Sequence, residues 1–164
     1  MQQYKDILER IGEKLLKDGI TNRKEWTSDI KRRFTKFARK ERPELTIATA
    51  ESSVKNKEAG EWLYDLVWIK FDKNNHYMLS IELALESEWG NIDEIYDDFQ
   101  KLLQSKSKIK IMIFQAASSD KCKSVFSDVH KWYDKYNPKM IGHEVYLAAC
   151  WCNKEERFEF MTIK

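Results

Sequence analysis

The sequence predicts one mixed α/β (α+β) domain, a central mixed β-sheet flanked by helices. Three observations lead there. Met78–Glu88 (MLSIELALESE) alternates apolar and polar residues, the period of a strand with two unlike faces. Residues 62–71 (WLYDLVWIKF) are rich in aromatic and branched side chains, and Asp72-Lys73-Asn74-Asn75 supplies turn chemistry between the two runs, so together they predict a hairpin. A helical pattern then leads to the short apolar run 109–114 (IKIMIF), expected to be a strand covered on both faces, which requires a mixed sheet with helices packed on it.

The elements follow in order. Tyr4, Ile7, Leu8, Ile11, Leu15 and Leu16 form one stripe over 3–18, and Gly19 is a stop. Trp26, Ile30, Phe34 and Phe37 repeat the pattern over 22–40, a helix that Pro43 ends. Residues 45–50 read as a short strand and 55–60 as a loop. Within 78–88, Leu79, Ile81, Leu83 and Leu85 are expected on one face, with Ser80, Glu82, Ala84, Glu86 and Glu88 on the other. Asn91 with Glu94 three residues on resembles a capping box opening a helix over Ile92, Ile95, Tyr96, Phe99, Leu102 and Leu103. Ser119 opens another, with Cys122, Val125, Phe126, Val129, Trp132, Tyr133 and Tyr136 on its buried side, ending at Asn137-Pro138. Two strands, 144–151 and 157–163, close the list.

The chain has 164 residues and three cysteines. That length fits a single domain over 1–164, divided into N-terminal helices (1–42), a core (43–115) and a C-terminal helix with a strand pair (116–164). Cys122, Cys150 and Cys152 are odd in number and lack C-x-x-C spacing, so buried thiols in a reducing cytoplasm are expected and a zinc site is not. The first ten residues are charged, without the apolar core of a signal peptide, and no run of about 18 apolar residues occurs. A cytoplasmic protein with no membrane partner is therefore expected.

Charge is unevenly spread. Between Thr21 and Arg42 nine Lys and Arg face three acids, net +6, in a chain of net +2. A basic helix carrying Arg32, Arg33, Lys36 and Arg39 points to a polyanion, though a merely solvated face is the commoner meaning of such a run.

Asp65 interrupts an apolar strand, where an isolated charge is expensive. A turn centred on Asn74 and Asn75 puts Asp65 opposite Ala84, give or take two residues, so that Asp65, Glu86, Glu88 and Glu82 fall within reach of one patch. Like charges at cross-strand distance repel, and a hard divalent cation such as Mg²⁺ or Mn²⁺ relieves that repulsion with oxygen ligands. Glu51 and Glu61 are further candidate ligands. No phosphate-binding glycine loop, nucleotide fingerprint or nucleophile elbow occurs, and His76, His130 and His143 are scattered.

The order helix, strand, strand with Asp, strand with E-x-E, helix, strand, over residues 22–115, resembles the core of the PD-(D/E)XK (restriction-endonuclease-like) nuclease superfamily. The residues that carry the resemblance are Asp65 in WLYDLVW and Glu86-Ser87-Glu88 in LALESEW. Two departures stand out: Tyr64 precedes the Asp where that family has Pro, and Glu88 occupies the place of its Lys. The resemblance implies a Mg²⁺- or Mn²⁺-dependent endonuclease acting on DNA, with Asp65 and Glu86 as metal ligands and Glu88 near the attacking water. Some members supply the lysine from the following helix, which here makes Lys101 the candidate, although a wheel sets it about 200° from Phe99. The basic helix would hold phosphates. A homodimer is compatible with all of this. The alternative is a nuclease-like domain that has lost catalysis, as the missing lysine suggests, and binds nucleic acid or a protein partner.

Overall fold

The computed structural model describes residues 1–49, 63–136 and 144–163. The protein is α+β: α1 (Gln2–Lys17), α2 (Arg23–Glu41), β1 (Thr46–Thr49), β2 (Leu66–Phe71), β3 (Met78–Glu88), α3 (Ile92–Gln104), β4 (Ser107–Ala116), α4 (Ser119–Tyr136), β5 (Val145–Cys152) and β6 (Arg157–Ile163). The six strands form one mixed sheet in the order β1-β2-β3-β4-β5-β6. β1, β2 and β3 are antiparallel neighbours, β3, β4 and β5 run parallel through the crossovers α3 and α4, and β6 returns antiparallel.

Two cores result, one on each face. Leu8, Ile11, Trp26, Ile30 and Phe34 of α1 and α2 pack on Leu66, Trp68, Leu83 and Leu85. Ile95, Phe99, Leu102 and Val129 of α3 and α4 pack on Val67, Ile69, Ala84 and Met112. Helix ends obey local chemistry. Gly19 takes φ 67°, and the α3 capping box is complete: Asn91 accepts from the Asp93 and Glu94 amides while Glu94 accepts from Asn91.

The alternation expected along β3 is interrupted by two register shifts against β2, one between Trp68 and Ile69 and one between Lys70 and Phe71. Trp68 pairs with Leu83, but Ile69 pairs with Ile81, so Glu82 is the extra residue of a bulge. Ile81 consequently packs with the α3/α4 core, not beside Leu83 and Leu85 as alternation predicts. The run 109–114 also hides a charge. Lys110 is 1% exposed, and its ammonium meets Glu144, the Tyr146 hydroxyl at 2.8 Å and the Leu103 carbonyl. Burial lowers its pKa, and the Glu144 carboxylate opposes that.

The expected free thiols are corrected in part. The first turn of α4 lands on the end of β5, and Cys122 and Cys152 form a disulfide with Cα atoms 6.5 Å apart, leaving Cys150 as a buried free thiol. Among the described residues no helix is long and apolar enough to cross a membrane.

Candidate metal and nucleic-acid site

Of the acids named from the sequence, Asp65, Glu86 and Glu88 lie at the carboxyl end of β3, where β2 begins and α2 passes overhead. The strand expected over 62–71 starts at Leu66, so Asp65 lies in the bend before it; Trp62 is outside the described residues. Leu66 pairs with Leu85, which brings Asp65 beside Glu86, two positions from Ala84. The Asp65 amide donates to Oε2 of Glu86 at 3.1 Å. Its carboxylate turns to α2 and to Ser87: Oδ1 lies 3.0 Å from the Lys31 ammonium, and Oδ2 accepts from the Ser87 amide at 2.9 Å and hydroxyl at 2.6 Å. The Ser87 hydroxyl lies 3.1 Å from that of Thr27, which accepts from the Trp89 indole, so this network ties α2 to the end of β3.

Glu86 is the odd carboxyl. It is 5% exposed, and its Oε1 finds no hydrogen-bond partner among the described residues. Its pKa is pushed up to about 8, first by burial, then by the charges of Asp98 and Asp65, against smaller opposition from the Asp65 amide and Lys101. At neutral pH the metal-free group is therefore mostly protonated. Asp98 belongs to α3 and pairs with Lys101 at 2.6 Å. Asp98 and the Glu86 and Asp65 charges all raise the Lys101 pKa, which places its ammonium in the field of the cluster although the side chain is half exposed. The backbone carbonyl of Lys101 also accepts from the Tyr64 hydroxyl at 3.2 Å, joining α3 to the bend that holds Asp65.

Glu88 is placed differently. Its Oε1 accepts from the Gly90 amide. A Cβ at Gly90 would meet the Glu94 carboxylate and lie 2.9 Å from that oxygen, so a larger residue there would make these two side chains shift. Glu82 is carried away from the others by the bulge and pairs with Lys108 at 2.7 Å and Arg42 at 3.7 Å, which hold its carboxyl ionised against burial. Glu51 and Glu61 lie outside the described residues.

Of the basic side chains on α2, Arg32 and Arg33 both pair with the buried Asp29, whose carboxyl they hold below its usual range against burial. Lys36 and Arg39 are exposed. Arg32, Lys36 and Arg39 line a cavity of ≈ 670 Å³ between α1 and α2, and so does Lys31.

Lys31 is the residue that sequence reasoning missed. It appears in the sequence as one of nine cations, and only the docking of α2 on the sheet sets it on Asp65. Its place at the edge of the Trp26, Ile30 and Phe34 stripe was the available signal.

Among the described residues the group of His, Cys, Asp or Glu side chains close enough together to share an ion is Cys122, Cys150 and Cys152, two of them joined in the disulfide. Asp65, Glu86, Glu88 and Asp98 do not form such a group, and what remains of the expected site is the orphaned Oε1 of Glu86, the kind of buried polar atom that a ligand satisfies. Compared with protein-family models, with curated proteins and with solved structures, the chain matches none.

Proposed function

We propose that the protein is a Mg²⁺- or Mn²⁺-dependent nuclease of the restriction-endonuclease-like type that hydrolyses phosphodiester bonds in DNA, in the cytoplasm. One observation carries the reading: Glu86, 5% exposed, has an unpartnered carboxyl oxygen and two acids beside it. Burying such a group without a partner destabilises the fold, which is typical of a site arranged for a ligand. The element order α2, β1, β2, β3, α3, β4, with Asp65 in the bend before β2 and Glu86-Ser87-Glu88 at the end of β3, supports the same family.

Glu86 and Asp65 would hold the ion. When bound, it would polarise the scissile phosphate and lower the pKa of the attacking water. The protein supplies the positioning. The Asp65 amide fixes Oε2 of Glu86 and leaves Oε1 open, and Ser87 fixes Oδ2 of Asp65. Lys101 and Glu88 are the groups in the neighbourhood available to orient or deprotonate the water. The α2 cations hold the phosphates, which gives affinity without reading sequence.

The non-catalytic alternative, a nuclease-like domain that binds nucleic acid or a protein partner, has its own observation. Lys31 sits on Asp65 and Lys101 on Asp98, so two of the three acids already have cations. The deciding experiment incubates labelled DNA, single-stranded and duplex, with Mg²⁺ or Mn²⁺ and with chelator, for the wild type and Glu86→Gln. Cleavage that needs metal and Glu86 supports the nuclease. No cleavage, together with no metal-dependent rise in melting temperature, leaves the binding domain.

A further inference from the structure

We infer that the cavity along α2 is a channel for one strand of nucleic acid, so that the substrate is single-stranded or locally unpaired DNA. The inference rests on the nuclease reading for what happens to the strand, but not for its binding.

The α2 residues lining the cavity run from Glu25 to Arg39. At 1.5 Å per residue that is about 21 Å of helix, over which a volume of ≈ 670 Å³ leaves a channel less than about 10 Å across. A duplex, whose major groove alone is about 12 Å wide, does not enter such a space, whereas one extended strand does.

The walls fit a strand in charge and in surface. Lys14, Lys31, Arg32, Lys36 and Arg39 supply five cations. Three are committed, Lys14 to Asp18, Lys31 to Asp65 and Arg32 to Asp29, and Glu25 and Asp29 line the same cavity. Among the described residues Lys36 makes no ion pair. Leu15 and Ile20 give the same cavity an apolar side on which sugars and bases can rest. A cationic track beside apolar surface is how proteins hold single strands without reading them.

Position supplies the link to chemistry. Lys31 both lines the channel and touches Asp65 at 3.0 Å, and Thr49, another lining residue, pairs with Leu66, the residue after Asp65. A strand in the channel therefore passes Lys31 and the Asp65 carboxylate it holds, whereas Glu86, which follows Ala84 onto the α3 side of the sheet, lies beyond that wall.

The test measures binding in chelator, where cleavage plays no part. Fluorescence anisotropy compares a labelled 20-nucleotide single strand with its duplex. The single strand should bind at least tenfold tighter. Three to four phosphate contacts at about 0.7 each should give its log–log salt slope a value of about −2 to −3. Ser28→Trp, which fills the channel from an exposed position on α2, and Lys36→Glu should each weaken single-strand binding at least tenfold while the melting temperature stays unchanged. Equal affinity for strand and duplex, or wild-type binding by both variants, overturns the inference. A single-strand preference without metal-dependent cleavage would keep the channel and remove the nuclease reading. Metal-dependent cleavage of duplex without that preference would do the reverse.

Discussion

The Asp65 backbone amide holds one oxygen of Glu86 at 3.1 Å while the other oxygen of that carboxyl goes unpartnered. This pairing fixes Glu86 without satisfying it, and the pH behaviour of the protein follows.

Glu86 has a folded pKa raised from 4.5 to about 8. A raised carboxyl holds its proton more tightly in the folded state. Its neutral form costs nothing below the unfolded value, and stability falls as pH rises from about 4.5 through about 8, by on the order of 4 kcal/mol in the limit. Glu86→Gln should flatten that decline in urea melts from pH 5 to pH 9. Mg²⁺ binding at pH 7 should release about one proton, read by calorimetry in buffers of different ionisation enthalpy. Metal binding without proton release would place the ion elsewhere.

Asp65→Asn should abolish cleavage and leave DNA binding nearly intact. Repulsion among the acids alone would make the change stabilising, but the Lys31 pair, 12% and 19% exposed, reverses the sign, and a loss of about 1–2 kcal/mol is expected. Lys31→Met should enlarge the Mg²⁺-induced rise in melting temperature, because the ammonium competes with the ion for Asp65. An unchanged or smaller rise would show that Lys31 does not occupy the metal's position.

Replacing Arg32, Arg33, Lys36 and Arg39 with Ala should weaken DNA binding and make its salt slope shallower by up to about 3. Asp29 already engages the first two, so Lys36→Ala alone should cost more affinity than Arg32→Ala or Arg33→Ala. Titrations at several salt concentrations decide this. A slope equal to that of wild type would mean the basic face is only solvated.

The Cys122–Cys152 bond closes a loop spanning 30 residues, and replacing both cysteines with Ser should lower stability by about 3–4 kcal/mol. Urea unfolding with and without reductant checks it: reductant should destabilise the wild type and leave the double variant unmoved.

Much of the architecture was legible because it is written in local periods. Met78–Glu88 is found with the expected bounds, and the Asn91–Glu94 cap opens α3 as read. The neighbourhood of Asp65 and Glu86 followed from the turn, since hairpin pairing converts residue numbers into distance. What stayed hidden depends on contacts between distant segments. Glu82 alternates correctly in sequence, yet the bulge turns it toward Lys108 and Arg42. Lys31 needed the packing angle of α2 on the sheet, and the disulfide needed the landing point of α4. Lys110 was concealed because one cation in an apolar run does not announce a partner 34 residues away.

The strand order has a kinetic meaning. Each strand lies beside the one that precedes it in the chain, from β1 through β6. Pairing can therefore advance as the polypeptide leaves the ribosome, each new strand adding to an edge already present. No strand has to be inserted between two others that have already paired, and so the path to the native sheet avoids an obligatory opening step. Refolding should accordingly show no slow phase from strand rearrangement, leaving disulfide chemistry as the slow event.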